Sequence, residues 1–388
     1  MSPTVPPPEA YPQRALPDDY ECHEGVYGLI EPFPLHFGGQ LDGVNIAFRL
    51  AGRAGAPVVA ALGGISSGRQ VFAAHSDETG WWEEIAGPGR ALDTDRFRVL
   101  GFDFLGGSHR STGPGRGETF PSVSAYDQAS VLALLMDHLG IKRLQASVGA
   151  SYGGMVTLAF AHHFPERLRH AVMISAAHRT HPMSTAWRSV QRAIVRYAIS
   201  REEGAEGLKL ARALAMATYR SAREFEERFP GVAEREEGVF RFPVESYLFA
   251  RGASYASHYR PEAFICLSES IDLHRVEPEQ VKVPVTCLGI AEDQLVPLAD
   301  MRELRDRLGG GCQLIEIDSI YGHDAFLKEK EVMRDLFAQA GFEDEDARTR
   351  GRVMVAYLMG ESSAGLKATP DWELLLRSHW HFLVGKQS

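Results

Sequence analysis

Gly149-Ala150-Ser151-Tyr152-Gly153-Gly154-Met155 reads Gly-x-Ser-x-Gly. A largely apolar run precedes it at 144–148, and a helical run follows at 155–164. The order is therefore strand, sharp turn, helix, with small residues that let the chain hold Ser151 on a strained corner. The Ser151 hydroxyl would stand clear of the sheet, above a helix N-terminus. Partial positive charge and free N–H groups there favour a developing oxyanion. A glycine-rich turn with a bystander serine satisfies the same five residues, so the surrounding chain has to decide.

Upstream, 44–50 alternates like an edge strand, and 57–62 is a continuous apolar run, as in a strand buried on both faces. The latter ends in Gly63-Gly64-Ile65-Ser66-Ser67-Gly68-Arg69. A glycine-rich loop after an early central strand suits a second oxyanion donor, so the backbone N–H groups of Ile65 and Tyr152 are the candidates. Such a loop also suits phosphate, but it lacks the Gly-Lys-Ser/Thr ending and the GxGxxG pattern. Strand 97–103, helix 122–139 and strand 171–176 continue the alternation, which predicts a mostly parallel sheet. The loops at its strand carboxyl ends are where a site belongs.

From about 178 the rhythm breaks. Residues 185–199, 204–221, 222–229, 245–259 and 261–276 read as helices with no strand signal among them. A helical lid over the pocket fits, and so does a separate helical domain without a catalytic part. Strand rhythm resumes at 283–290, followed by Glu292-Asp293 and a helix at 297–308. The last strand, 314–317, leads to Tyr321-Gly322-His323-Asp324-Ala325-Phe326, and 332–340 is the last core helix. A serine hydroxyl near neutral pH needs a base within hydrogen-bond reach, and that base needs an acid to hold its tautomer. His323 suits the base and Asp293 the acid. Glu292, Asp318 and Asp103 are rivals for the latter, Asp103 being better suited to loop structure. The chain order Ser151, Asp293, His323 is that of an α/β hydrolase fold. The expected organisation is an N-terminal arm (1–30), a core in two parts (31–177 and 281–341), a lid (178–280) and a C-terminal extension (342–388).

The 388 residues are 44% apolar and 24% charged, with a net charge of -10. No basic stripe with interleaved aromatics argues for nucleic acid; the arginines of 188–201 are spaced like a solvated helix face. Cys22, Cys266, Cys287 and Cys312 are scattered without CxxC or metal spacing, and Cys287 reads as a small core residue. The Pro-rich, acidic N-terminus has neither a basic n-region nor an apolar h-region, and no apolar run reaches membrane-spanning length. The expectation is a cytoplasmic protein without metal or cofactor.

A triad alone does not choose between hydrolysis and acyl transfer. From about Phe33 to Gly341 the chain resembles the MetX-type homoserine O-acyltransferases. The likeness rests on Gly80-Trp81-Trp82-Glu83, 87–96 (GPGRALDTDR), Leu105-Gly106-Gly107, Ser111-Thr112-Gly113-Pro114 and the elbow itself. It continues through Gly207-Leu208, Ala211-Arg212, Thr218-Tyr219-Arg220-Ser221, 244–248 (VESYL) and Gly322-His323-Asp324-Ala325-Phe326. The resemblance implies an acyl-CoA co-substrate, an acyl-Ser151 intermediate, L-homoserine as acceptor and a homodimer. It also implies that Arg212 and Asp324 hold the acceptor's carboxylate and amine. The chain departs from that family at Tyr152, where small or other apolar residues are frequent, in the 64–69 loop, and in its C-terminal tail. Arg69 in that loop is placed to pair with the free carboxylate of a succinyl group, which tips the expectation from acetyl-CoA to succinyl-CoA. Serine as acceptor, or an ester hydrolase, are the alternatives.

Overall fold

The computed structural model describes residues 19–74 and 78–342. Its main sheet has eight strands: β1 (Tyr20–Gly28), β2 (Asn45–Arg53), β3 (Val58–Leu62), β4 (Arg98–Phe102), β5 (Ala146–Ala150), β6 (Ala171–Ile174), β7 (Val285–Ile290) and β8 (Cys312–Ile317). Their order across the sheet is β1-β2-β4-β3-β5-β6-β7-β8. The first two pairings, β1 with β2 and β2 with β4, are antiparallel; all others are parallel. Every residue of β3, β5, β6 and β7 is buried, which explains why these strands carry almost only apolar and small residues.

Helix α1 (Ala125–His138) starts on a reciprocal cap between Ser124 and Asp127. Helix α2 (Tyr152–His163) packs on β3, β5 and β6 and is buried over all its residues but the last two. The lid comprises α3 (Pro182–Ile199), α4 (Gly204–Tyr219), α5 (Ala222–Arg228), α6 (Pro243–Ala256) and α7 (Pro261–Asp272). Two further helices, α8 (Leu298–Arg307) and α9 (Lys330–Phe337), flank the last strand.

Three expectations are corrected. Residues 20–28, assigned to a mobile arm, form strand β1, paired along its whole length with β2; residues 1–18 lie outside the described part. The strand near 44–50 is not an edge: β1 covers it, so all its residues except the two ends are buried. The alternation in this stretch therefore runs between two covered faces and does not mark exposure of one of them. The lid also contains strands, a short hairpin of Glu234–Glu236 with Val239–Arg241 around the turn at Gly238. Three-residue strands are too short to show a period of two. The C-terminal extension beyond 342 lies outside the described residues.

Polar side chains tie lid to core. The Tyr152 and Ser270 hydroxyls share a 2.6 Å hydrogen bond, so the unusual tyrosine beside Ser151 anchors α7. The Tyr259 hydroxyl donates to the Ile65 carbonyl (2.8 Å), and the Ser184 hydroxyl to the Leu295 carbonyl (2.7 Å). All three are buried, and a buried polar group left without its partner costs about 1–3 kcal/mol. The lid is therefore built onto the loops that carry the site.

Candidate active site

Ser151 sits between β5 and α2 at φ 55° and ψ −119°, a conformation that side chains avoid and that costs on the order of 1–3 kcal/mol. The fold holds it there. The Ser151 N–H donates to the Ile174 carbonyl (2.9 Å), and Gly154 and Met155 N–H groups donate back to the Ser151 carbonyl. The Gly153 N–H donates to the Gly63 carbonyl at 2.8 Å, and any Cβ on Gly153 would collide with the Leu62 carbonyl. This close approach clamps the start of α2 against the loop after β3. The two oxyanion candidates, Ile65 and Tyr152, belong to the two segments so joined.

His323 lies on a 3-10 turn, Gly322–Leu327, after β8. The Ser151 hydroxyl donates to its Nε2 (2.8 Å), and its Nδ1–H donates to Asp293 Oδ2 (2.7 Å). The other Asp293 oxygen accepts from the Leu295 and Val296 N–H groups at 2.8 and 3.0 Å. Asp293 and His323 are buried. Burial alone would strip His323 of its proton, but the Asp293 charge and hydrogen bond, aided by Asp324, outweigh it; Arg188 opposes them. The net result is a raised imidazole pKa. The rivals have other partners. Asp103 accepts from the backbone of Arg69 and Arg110, and Glu292 from the backbone of Ser319.

The expectation for Arg69 is overturned. Its Nη1 pairs with buried Asp103 (2.9 Å) and its Nε with Glu24 (2.8 Å). Glu24 belongs to β1, the strand read as mobile arm, so the partner that immobilises Arg69 was not visible as one. The cations that do line the Ser151 pocket are Arg179 and Arg188. Arg188 and Arg192 of α3 are not on a solvated face, as their spacing suggested. Their side chains are 12% and 10% exposed, and both pair with Asp272. What hides them from a helix-face reading is α7, which covers α3 and supplies that carboxylate.

Arg212 projects from α4, its guanidinium 5.0 Å from the Tyr219 ring and 4.7 Å from the Tyr255 ring. Burial works against its charge, yet Tyr219, Tyr255 and Asp324 together raise its pKa. Tyr219 in turn lies 5.7 Å, ring to ring, from His323. Asp324 forms an ion pair with Arg220 (3.2 Å), a residue that sequence reasoning did not single out. Asp324 thus acts on both the His323 imidazole and the Arg212 guanidinium, while Tyr219, the ring partner of Arg212, lines the Ser151 pocket that the side chains of Arg212 and Asp324 themselves do not line. Ile65, Met155, Phe264 and Leu295 supply apolar wall. Chemically, the arrangement offers an activated hydroxyl, a base in one tautomer and a charged rim. Among the described residues, no group of three or more His, Cys, Asp or Glu could hold a metal ion, and no helix is long and apolar enough to cross a membrane.

Comparison with known proteins bears on the fold and the family. A family model described as "alpha/beta hydrolase fold" matches residues 71–330. The chain is 43% identical over 315 residues to a homoserine O-succinyltransferase of Xanthomonas campestris pv. campestris, covering 80% of this chain and 82% of that one. It is 33% identical to a homoserine O-acetyltransferase of Thermobifida fusca, over 80% of this chain and 93% of that one. The crystal structure of a homoserine O-acetyltransferase from Bacillus anthracis superposes with a TM-score of 0.75 at 19% identity, covering 82% and 98% of the two chains. With the fold shared and the sequence likeness running over most of its length, this chain belongs to the homoserine O-acyltransferase family of the alpha/beta hydrolase fold.

Proposed function

We propose that the protein is an acyl-CoA:L-homoserine O-acyltransferase of methionine biosynthesis, with succinyl-CoA favoured over acetyl-CoA. The observation that carries the reading is the Ser151–His323–Asp293 relay facing a pocket lined by the guanidinium groups of Arg179 and Arg188. In the first half-reaction the Ser151 oxygen attacks the thioester carbonyl while its proton passes to His323 Nε2. The tetrahedral oxyanion rests on the Tyr152 and Ile65 N–H groups, and CoA departs with the proton. In the second, the acceptor's γ-hydroxyl gives its proton to His323 and attacks the acyl-serine; the product ester leaves and Ser151 is reprotonated. Arg212 grips the acceptor's carboxylate and Asp324 its ammonium, the two fixed charges that a zwitterion needs.

The donor preference rests on Arg188, not on Arg69. In the trio Arg188, Arg192 and Asp272 two cations share one carboxylate, and Arg188 lines the pocket with Ser151. A succinyl chain carries a terminal carboxylate that this charge would hold; an acetyl group has none. Among relatives, identity is higher to the succinyltransferase than to the acetyltransferase, 43% against 33%. Transfer to serine, or hydrolysis, is the second reading, because one methylene is discriminated only modestly.

A cytoplasmic homodimer belongs to the same proposal. Exposed Val232, Phe240 and Phe242 at the lid hairpin support a contact face, which sedimentation of the purified protein tests directly. The decisive assay offers acetyl-CoA or succinyl-CoA with homoserine, serine or water. CoA release that needs homoserine and succinyl-CoA supports the reading; release indifferent to both amino acids makes the protein a hydrolase.

A further inference from the structure

The Tyr219–Ser221 segment, where α4 ends, lies directly on the turn that carries His323. Gly322 adopts φ 54°, and a Cβ there would come within 3.0 Å of the Tyr219 carbonyl and 3.2 Å of the Ser221 nitrogen. The Ser221 hydroxyl donates to the Ile320 carbonyl, and Gln294, next to Asp293, donates through Nε2 to the Arg220 carbonyl (2.9 Å). Arg220 therefore touches the loops of Asp293 and of Asp324 at once.

Its side chain is 10% exposed and bridges two carboxylates: Nε lies 3.2 Å from Asp324 Oδ2, and Nη1 3.2 Å from Glu224 Oε2. The Asp324 carboxylate is enclosed, 13% exposed, and Arg220 supplies the charged partner that such a buried group needs. Arg212, sandwiched by Tyr219 and Tyr255, is the cation left for an acceptor carboxylate. Arg220 does not cancel the attraction for an ammonium group. The pair engages only Oδ2 of Asp324, which leaves Oδ1 to accept from an ammonium group.

We propose that Arg220 is a positioning residue, which fixes the Asp324 carboxylate for the ammonium group of the amino-acid acceptor. This rests on the acceptor-site reading of Asp324 given above. It differs from a merely structural role by what it leaves alone: acylation of Ser151 by the CoA donor needs no acceptor.

The test uses the full-length protein as R220Q, R220K, D324N and the R220Q/D324N double variant. The KM for homoserine and the single-turnover burst of CoA without acceptor are measured for each. R220Q should raise the KM about tenfold while the burst rate stays within about twofold, and R220K should restore part of the loss. On top of D324N, R220Q should add less than about twofold, because the interaction it supports is already gone. Independent, multiplying effects would overturn the inference, as would a burst lost in R220Q and R220K alike. A KM raised by D324N and untouched by R220Q overturns the positioning role alone. A KM untouched by D324N overturns the acceptor-site reading and this inference with it.

Discussion

Ser151 Oγ and His323 Nε2 lie 2.8 Å apart although 172 positions separate them in the chain. The contact joins the loop after β5 to the loop after β8, two strands with β6 and β7 between them. Because Asp293 fixes the opposite nitrogen of the ring, the imidazole presents its free lone pair to the serine. Replacing Ser151 by alanine should abolish the CoA burst. D293N, which leaves the shape but offers Nδ1 a donor in place of an acceptor, should lower kcat by roughly 10⁴-fold. Single-turnover CoA release reads both; a D293N burst near the wild-type rate would remove Asp293 from the relay.

Donor choice should separate two arginines. R188A is expected to raise the KM for succinyl-CoA by roughly tenfold to a hundredfold, the range of a hydrogen bond between charged groups, and to leave that for acetyl-CoA nearly unchanged. Arg192 remains on Asp272 in this variant, so the fold is kept. R69A should affect both donors alike. Its cost belongs to stability, on the order of 3 kcal/mol, because buried Asp103 loses its cation. Paired steady-state assays and denaturant titration distinguish these outcomes.

The pH profile should move in opposite directions in two variants. His323 must be neutral to accept the serine proton, so kcat/KM rises as pH climbs through its pKa, which lies above the ordinary histidine value. Asp324 helps to raise that pKa and Arg188 lowers it. Removing the Asp324 charge in D324N should carry the acid limb to lower pH, and R188A should carry it to higher pH. Limbs that stay together in both variants would mean that neither charge acts on the imidazole.

Trp82 offers a test of how the histidine turn is supported. Its ring is buried, and its Nε1–H donates to the Phe326 carbonyl (2.9 Å) within the turn that bears His323. W82F keeps most of the ring but orphans that carbonyl, at a cost of about 1–3 kcal/mol. Thermal unfolding should record the loss, and kcat should fall with little change in KM. A variant as stable as wild type would show that water replaces the indole.

Local patterns made much of the protein legible. Apolar runs mark β3 and β6 because both faces of those strands are covered, and Gly153 marks the elbow because no Cβ fits against Leu62. The order Ser151, Asp293, His323 identifies the relay because each residue follows a strand at the same edge of the sheet. Arg69 and Arg188 show where such reading stops. Both are arginines flanked by unremarkable neighbours, and only their partners differ: Glu24 and Asp103 for one, Asp272 and the Ser151 pocket for the other. Likewise Arg220 acquires meaning only when the end of α4 meets the turn of Gly322.

The sequence by itself determined the central parallel strands, the strained serine and the family, because backbone sterics and burial act over a few residues and leave periodic marks. The tertiary structure alone decided which charges are spent on one another and which face the pocket. An ion pair depends on distances between segments far apart in the chain, and a side chain's own neighbours in sequence carry no record of them.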